Sequence, residues 1–316
     1  MSRALRWLVF VTALLAALSL QATMAVGGEA IVWLASGVAV VGVHVLGPRA
    51  LLAVAVGTLS QRWIAGYGTF AVVSALGAVG EAWLGARVLR ELGPASQLRR
   101  LGDVVLLAAA AALAPLVSIL VTALGRELLL PPQPPNEWGA WWRMNAIGIG
   151  IVVPLALTWS SGDTSTSGRR HGPGAVGFAV TTAALAGVCA AFGSGLNGLL
   201  LTLGIVLPMA AAAALRHGTR GAAYASAATG LTLALLAAAE LGAFAALPSL
   251  ERRTAVQLSL VLIVYVPLVF AALQAERDDE AARRARSEAL RTALSRAAPD
   301  PVCRVRPDGT CLEVLG

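Results

Sequence analysis

LSLVLIVYVPLVFAALQAERDDEAARRARSEALR, residues 258–291, is the stretch that decides the fold. Its first eighteen residues carry no charged side chain, and from Glu276 onward acidic and basic residues crowd together. A bilayer hydrocarbon core of about 30 Å takes roughly 20 apolar residues as helix. The chain therefore leaves a membrane near Gln274 and enters water. Working back toward the N-terminus, the same apolar texture recurs in stretches at 7–26, 30–47, 50–65, 69–90, 103–125, 140–160, 174–192, 197–214 and 219–240, with the last span at 255–274. Gly-, Pro- or Arg-bearing breaks separate them, among them Gly47-Pro48-Arg49, Gly66-Tyr67-Gly68 and the loop from Arg216 to Arg220. The fold class expected is an all-α polytopic membrane protein of about ten transmembrane helices. The second and third spans are short, as are the seventh and eighth, so an eight-span layout with one re-entrant or interfacial pair stays open.

Composition supports this and removes other classes. The chain is 57% hydrophobic and only 13% charged, with a mean hydropathy of +0.75, where soluble domains carry about 25% charged residues. The net charge of +7 does not point to nucleic acid, because the basic residues lie in loops flanking spans and not along one stripe. All 24 basic residues are arginine, which with abundant Ala, Gly and Leu has the character of a GC-rich bacterial genome. Cys189 lies mid-span and Cys303 and Cys311 lie in the tail, without CxxC or zinc spacing, so no metal and no cofactor is expected. The N-terminal apolar run is too long for a cleaved signal peptide and is taken as a retained first helix.

Arginine placement orients the spans. With ten spans and a cytoplasmic N-terminus, the inner segments hold Arg3, Arg6, Arg49, Arg87, Arg90, Arg99, Arg100, Arg169, Arg170, Arg216 and Arg220. The outer segments hold Arg62, Arg126, Arg143, Arg252 and Arg253. The positive-inside rule then places both termini in the cytoplasm.

Three segments carry a family resemblance. WLASGVAVVGVHVLGPRALLAVAVGTL (residues 33–59), with Ser36-Gly37, Gly47, Arg49 and Gly57, resembles the opening of the bacterial membrane-associated sensor domain of the first MASE type. GAVGEAWLGARVLREL (77–92) is similar to that family's helix with one buried Glu and a basic end. WGAWWRMNAIGIGIVVPLALTW (138–159) is similar to its Trp-Trp, polar, Gly, Val-Val-Pro pattern. Two departures stand out: Asn145 occupies a position that is often acidic, and Leu51-Leu52 replaces a Trp-Pro pair. The tail, LRTALSRAAPDPVCRVRPDGTCLEVLG, resembles the entrance of a PAS domain, with 302–306 and 310–314 forming a hairpin about Pro307-Asp308-Gly309. The expected organisation is a sensor domain at 1–275, a cytoplasmic signal helix at 276–298 and an incomplete PAS start at 299–316, the chain being a fragment or a shortened gene product.

Candidate working residues follow from cost. A carboxylate within a span is expensive unless neutralised or paired, which singles out Glu81. Arg143 and Asn145, beside Trp142, are its candidate partners in a polar pocket facing the periplasm; the tryptophans also fit an interfacial belt. Gln61 and Arg62 fit the outer interface, and His44 fits a structural role. Gly37, Gly57, Gly77, Gly80, Gly148 and Gly150 fit close helix packing. No catalytic triad, phosphate loop or kinase signature is present in the sequence, so no enzyme activity is expected within these residues. In the signal helix, Leu290, Leu294 and Ala297 form an apolar stripe suited to a parallel homodimer. The resemblance implies an inner-membrane sensory input module that passes an unknown small-molecule or protein cue to a histidine kinase, diguanylate cyclase or phosphatase. Its partners are then the lipid bilayer and a second copy of the chain. The alternative is a polytopic transporter or channel, which the sparse intramembrane charge and absence of a visible inverted repeat disfavour.

Overall fold

The computed structural model describes residues 2–20, 24–26, 29–92, 98–129, 138–160, 173–297 and 302–315. Of the expected breaks, Gly27-Gly28, the cluster from Pro131 to Pro135 and residues 162–172 of the loop expected from Gly162 to Gly174 lie outside the described residues. Two compact units result, Met1–Ala272 and Leu273–Gly316.

The first unit is built of α1 (Arg3–Leu20), a strand pair β1 (Ala25–Val26) and β2 (Glu29–Ala30), α2 (Leu34–Leu46), α3 (Ala50–Ile64), α4 (Phe70–Leu89), α5 (Leu101–Leu129), α6 (Trp138–Ser160), α7 (Pro173–Phe192), α8 (Gly195–Ala238) and the beginning of α9 (Ser249–Ala297). Six of these helices are long and apolar enough to cross a bilayer, and α1, α2 and α3 are shorter apolar helices. Lipid offers no hydrogen bonds to the backbone, so apolar sequence there closes into helices. The protein is a polytopic α-helical membrane protein.

At 44 residues, α8 would run about 66 Å if straight, twice the hydrocarbon core. It does not. Gly218 adopts φ 65° and ψ −154°, a conformation a side chain resists. Ala210 and Ala213 cluster with Ala225, although an unbroken helix would hold 210 and 225 about 22 Å apart. The chain therefore folds back at Gly218 into two arms, 195–217 and 219–238, and α7 packs against them. Thr219 Oγ1 donates to the Leu98 carbonyl at 3.4 Å and Arg220 to the Thr158 carbonyl at 3.0 Å. These bonds put the reversal at the same end of the bundle as the start of α5 and the end of α6.

The short α2 lies at the centre, against α1, α4 and α6. Thirteen helical residues cover only about 20 Å. A non-helical segment, Ile31 to Trp33, with Ile31 and Val32 buried, leads into α2. Backbone outside a helix survives at membrane depth only when protein satisfies its polar groups, and here it does. Ile31 N–H bonds the Met24 carbonyl at 2.8 Å, Trp33 N–H bonds the Met144 carbonyl at 3.0 Å, and Gln257 Nε2 donates to the Ile31 carbonyl at 3.2 Å. A similar economy serves α9. Pro267 has no N–H for the Ile263 carbonyl four residues back, and the Ser226 hydroxyl donates to that carbonyl instead, at 2.6 Å. Small residues permit the close approaches: a Cβ on Gly37 would lie 2.6 Å from Val152 Cβ, and one on Gly80 2.7 Å from Val117 Cγ1.

The second unit contains the remainder of α9 and an antiparallel pair, β3 (Val302–Val305) and β4 (Cys311–Leu315). Glu280 and Arg284 form an i,i+4 ion pair at 3.7 Å, and Gln274 Nε2 donates to Asp278 at 2.8 Å. Gly309, with φ 88°, closes the hairpin turn. The Thr310 N–H bonds Asp308 Oδ1 at 3.0 Å, and that bond holds the exposed Asp308 carboxyl below its ordinary pKa.

Candidate functional site

Helices α1 to α6 line a cavity of about 30 Å³, room for roughly two or three water molecules, with polar and apolar groups both in its wall. Each helix presents one face to it. Ser36 comes from α2, Thr58 and Arg62 from α3, Ser74 and Glu81 from α4, Ser118 from α5, and Trp141 and Asn145 from α6, while Leu14 of α1 closes the apolar side. The spacing explains the grouping. Thr58 and Arg62 are four apart, Ser74 and Glu81 seven apart, and Trp141 and Asn145 four apart, so each pair shares a helix face.

Glu81 is 2% exposed, and Asn145 Nδ2 donates to its Oε2 at 3.1 Å. The Ser36 and Ser118 hydroxyls also face the carboxyl. Even so, Glu81 Oε1 and Asn145 Oδ1 make no hydrogen bond within ordinary geometry. Across the same cavity sits Arg62, 8% exposed and wrapped by aromatic rings. Its guanidinium carbon lies 4.5 Å from the Trp33 ring centre, 4.8 Å from that of Tyr67 and 5.9 Å from that of Trp141. Such cation–π contacts favour a cation that has lost water; the Tyr67 hydroxyl also hydrogen-bonds the guanidinium, while Arg62 Nε has no acceptor. The Ser74 hydroxyl is likewise without a partner.

Of the residues singled out from sequence, the structure brings Glu81 and Asn145 together and sends Trp142 and Arg143 elsewhere. Around the helix Arg143 projects about 160° from Asn145, and Trp142, three residues before it, about 60°. Trp142 Nε1 donates to the Ala112 carbonyl of α5 at 2.8 Å, and Arg143 Nε donates to Gln257 Oε1 of α9 at 2.8 Å. Both staple helices together outside the cavity. The basic side chain that lines the cavity is Arg62, which the sequence reading set at the outer interface. Its periodic signal was present: Val54, Thr58 and Arg62 form one small-to-polar stripe on an otherwise apolar helix, and Trp141 precedes Asn145 by one turn. Leu290 and Leu294 are exposed on α9, 62% and 60%, and Ala297 is its last residue. Among the described residues no cluster of His, Cys, Asp and Glu could hold a metal ion.

Comparison with curated proteins and with solved structures gives no match. The MASE1 family model, in contrast, matches residues 4–278, which takes in all the helices that enclose the cavity. MASE1 is a membrane-bound sensor domain found in signalling proteins. The order of its helices, the buried Glu on α4 and the Gly-rich face of α6 all fall within the matched stretch, and the chain belongs to the MASE1 family.

Proposed function

We propose that this chain is the sensory input module of a bacterial inner-membrane signalling protein, and that the cavity around Glu81 receives the cue. The observation that carries the reading is two buried side chains of opposite formal charge, Glu81 and Arg62, facing one cavity inside a membrane bundle. Sites of this kind are costly and are associated with function. Six helices meet there, so an occupant that completes the unfilled hydrogen bonds would change how they pack.

The topology belonging to this reading has ten crossings, with α8 counted as two arms, and both termini in the cytoplasm. The fold-back at Gly218 and the arginine distribution support it. The later part of α9 is the signal helix, and a second copy of the chain pairs with it through Leu290, Leu294 and Ala297. The hairpin of β3 and β4 is the start of a PAS domain, beyond which a histidine kinase, diguanylate cyclase or phosphatase supplies the output. These residues themselves perform no catalysis.

The test is Glu81→Gln in the full-length signalling protein, which removes the formal charge and keeps size and hydrogen bonding. Insertion is expected to stay normal while basal output or its response to stimulus changes. Output and response equal to wild type would end the cavity reading. Substrate flux through the purified chain in proteoliposomes would replace it with transport.

A further inference from the structure

Buried polar atoms in folded proteins are hydrogen-bonded in the great majority of cases, so unfilled ones that converge on one space call for an occupant. Four converge here. Asn145 Oδ1 accepts, as does Glu81 Oε1 when the carboxyl is ionised, Arg62 Nε donates, and Ser74 Oγ can do either. All four side chains are more than nine-tenths buried and all line the same cavity. The acceptors belong to α4 and α6 and the donor to α3, so the demand has two ends of opposite kind. No Glu81–Arg62 ion pair closes the circuit among the described residues.

We infer that the cavity binds a small zwitterion of amino-acid size, its primary ammonium on Glu81 and Asn145 and its carboxylate on Arg62. The inference rests on the reading of this cavity as the sensory site and names the class of molecule it takes. Charge balance supports the choice. The cavity holds one acidic and one basic side chain, so a net-neutral ligand adds no charge to a low-dielectric interior, while a lone cation or anion would. Chemistry narrows it further. The acceptors take N–H or O–H donors, and a quaternary ammonium has neither. With Trp33, Tyr67 and Trp141 around the guanidinium and the Tyr67 hydroxyl bonded to it, the Nε edge of Arg62 is where a carboxylate can dock, and guanidinium–carboxylate bonds are among the strong ones. Size sets the upper limit: space for roughly two or three waters suits glycine or L-alanine and excludes large side chains without rearrangement.

The experiment is thermal unfolding and isothermal titration of the full purified chain in nanodiscs. The probes are glycine and L-alanine, with sodium acetate, methylammonium chloride and sodium chloride as single-charge controls. Glycine or L-alanine is expected to stabilise the chain in a saturable way, and the controls are not. Glu81→Gln and Arg62→Gln should each weaken binding by about 10- to 100-fold, the range for a hydrogen bond to a charged group. If the charge variants do not fold, Ala78→Val, which narrows the cavity without altering charge, must weaken binding by a similar factor. Absence of binding by both zwitterions, equal binding by methylammonium or sodium alone, or undiminished affinity in the folded variants would each overturn the proposal. Binding without any change in the output of the full-length protein would leave the zwitterion site standing and remove the sensory reading. A Glu81→Gln effect on output without zwitterion binding would do the reverse.

Discussion

Replacing Gly37 with alanine tests how tightly the packing of α2 on α6 is coupled to the cavity. The added Cβ would stand 2.6 Å from Val152 Cβ and closer still to the Gly148 carbonyl oxygen. Carbon atoms in contact sit about 3.5–4.0 Å apart, so the two helices must separate by roughly 1 Å. Overpacking of this kind costs about 1–3 kcal/mol, a change of about 5- to 150-fold in the folding equilibrium. The same separation lengthens a bond that crosses the contact, Trp33 N–H to the Met144 carbonyl at 3.0 Å, and takes it out of hydrogen-bonding range. The assay is unfolding of the purified chain in mixed micelles of rising sodium dodecyl sulfate fraction. Gly204→Ala is the control, since nothing lies within 4 Å of its added carbon and alanine is the better helix former. Gly37→Ala should unfold at a clearly lower detergent fraction and Gly204→Ala at the wild-type fraction or higher. Equal midpoints for wild type and Gly37→Ala would refute the close-packed interface.

Topology reporters fused at Gly28, Gln133, Gly195 and Ser249 should report the periplasm, and those at Gln97, Ser167 and Thr219 the cytoplasm; inversion at Ser167 and Thr219 alone would favour eight crossings. In the full-length protein, deleting residues 282–288 turns the helical phase by only about 20° and should preserve regulation, whereas deleting 283–286 turns it by about 40° and should lock or scramble output. Equal behaviour of the two deletions would mean a flexible tether in place of a signal helix. The Asp308 carboxyl accepts the Thr310 N–H and is held below its ordinary pKa. Its support for the hairpin turn is therefore full above the unfolded Asp value of about 3.9 and fades as pH falls through the lower folded value. The Thr310 amide shift, followed by NMR, should titrate with a midpoint below 3.9, and a midpoint at or above it would deny the bond.

The sequence by itself determined that this chain lives in a bilayer as a series of apolar helices, and where apolar sequence gives way to charge after Gln274, though it ran the first helix to 26 and began the second at 30, where the structure has α1 end at Leu20 and α2 begin at Leu34. These follow from transfer free energy, which each apolar residue contributes without reference to its neighbours in space. Glu81 was legible for the same reason, since an acid inside an apolar run stands out wherever the helix packs. The glycine positions were legible too, and Gly37, Gly80 and Gly148 all meet a neighbouring helix. Only the tertiary structure decided which polar side chains share a space. Arg62 near the outer end of α3 could equally face headgroups or the bundle, and hydropathy gives both the same score; what turned it inward was the ring of Trp33, Tyr67 and Trp141, contributed by residues more than thirty positions apart. Trp142 and Arg143 were drawn toward Glu81 by nearness in sequence to Asn145, yet Arg143 projects about 160° away and bonds α9, and Trp142, only about 60° off, is held by the α5 backbone. A linear pattern fixes how much of a helix is buried in lipid or protein, whereas the face that meets each partner depends on packing against all the other helices at once.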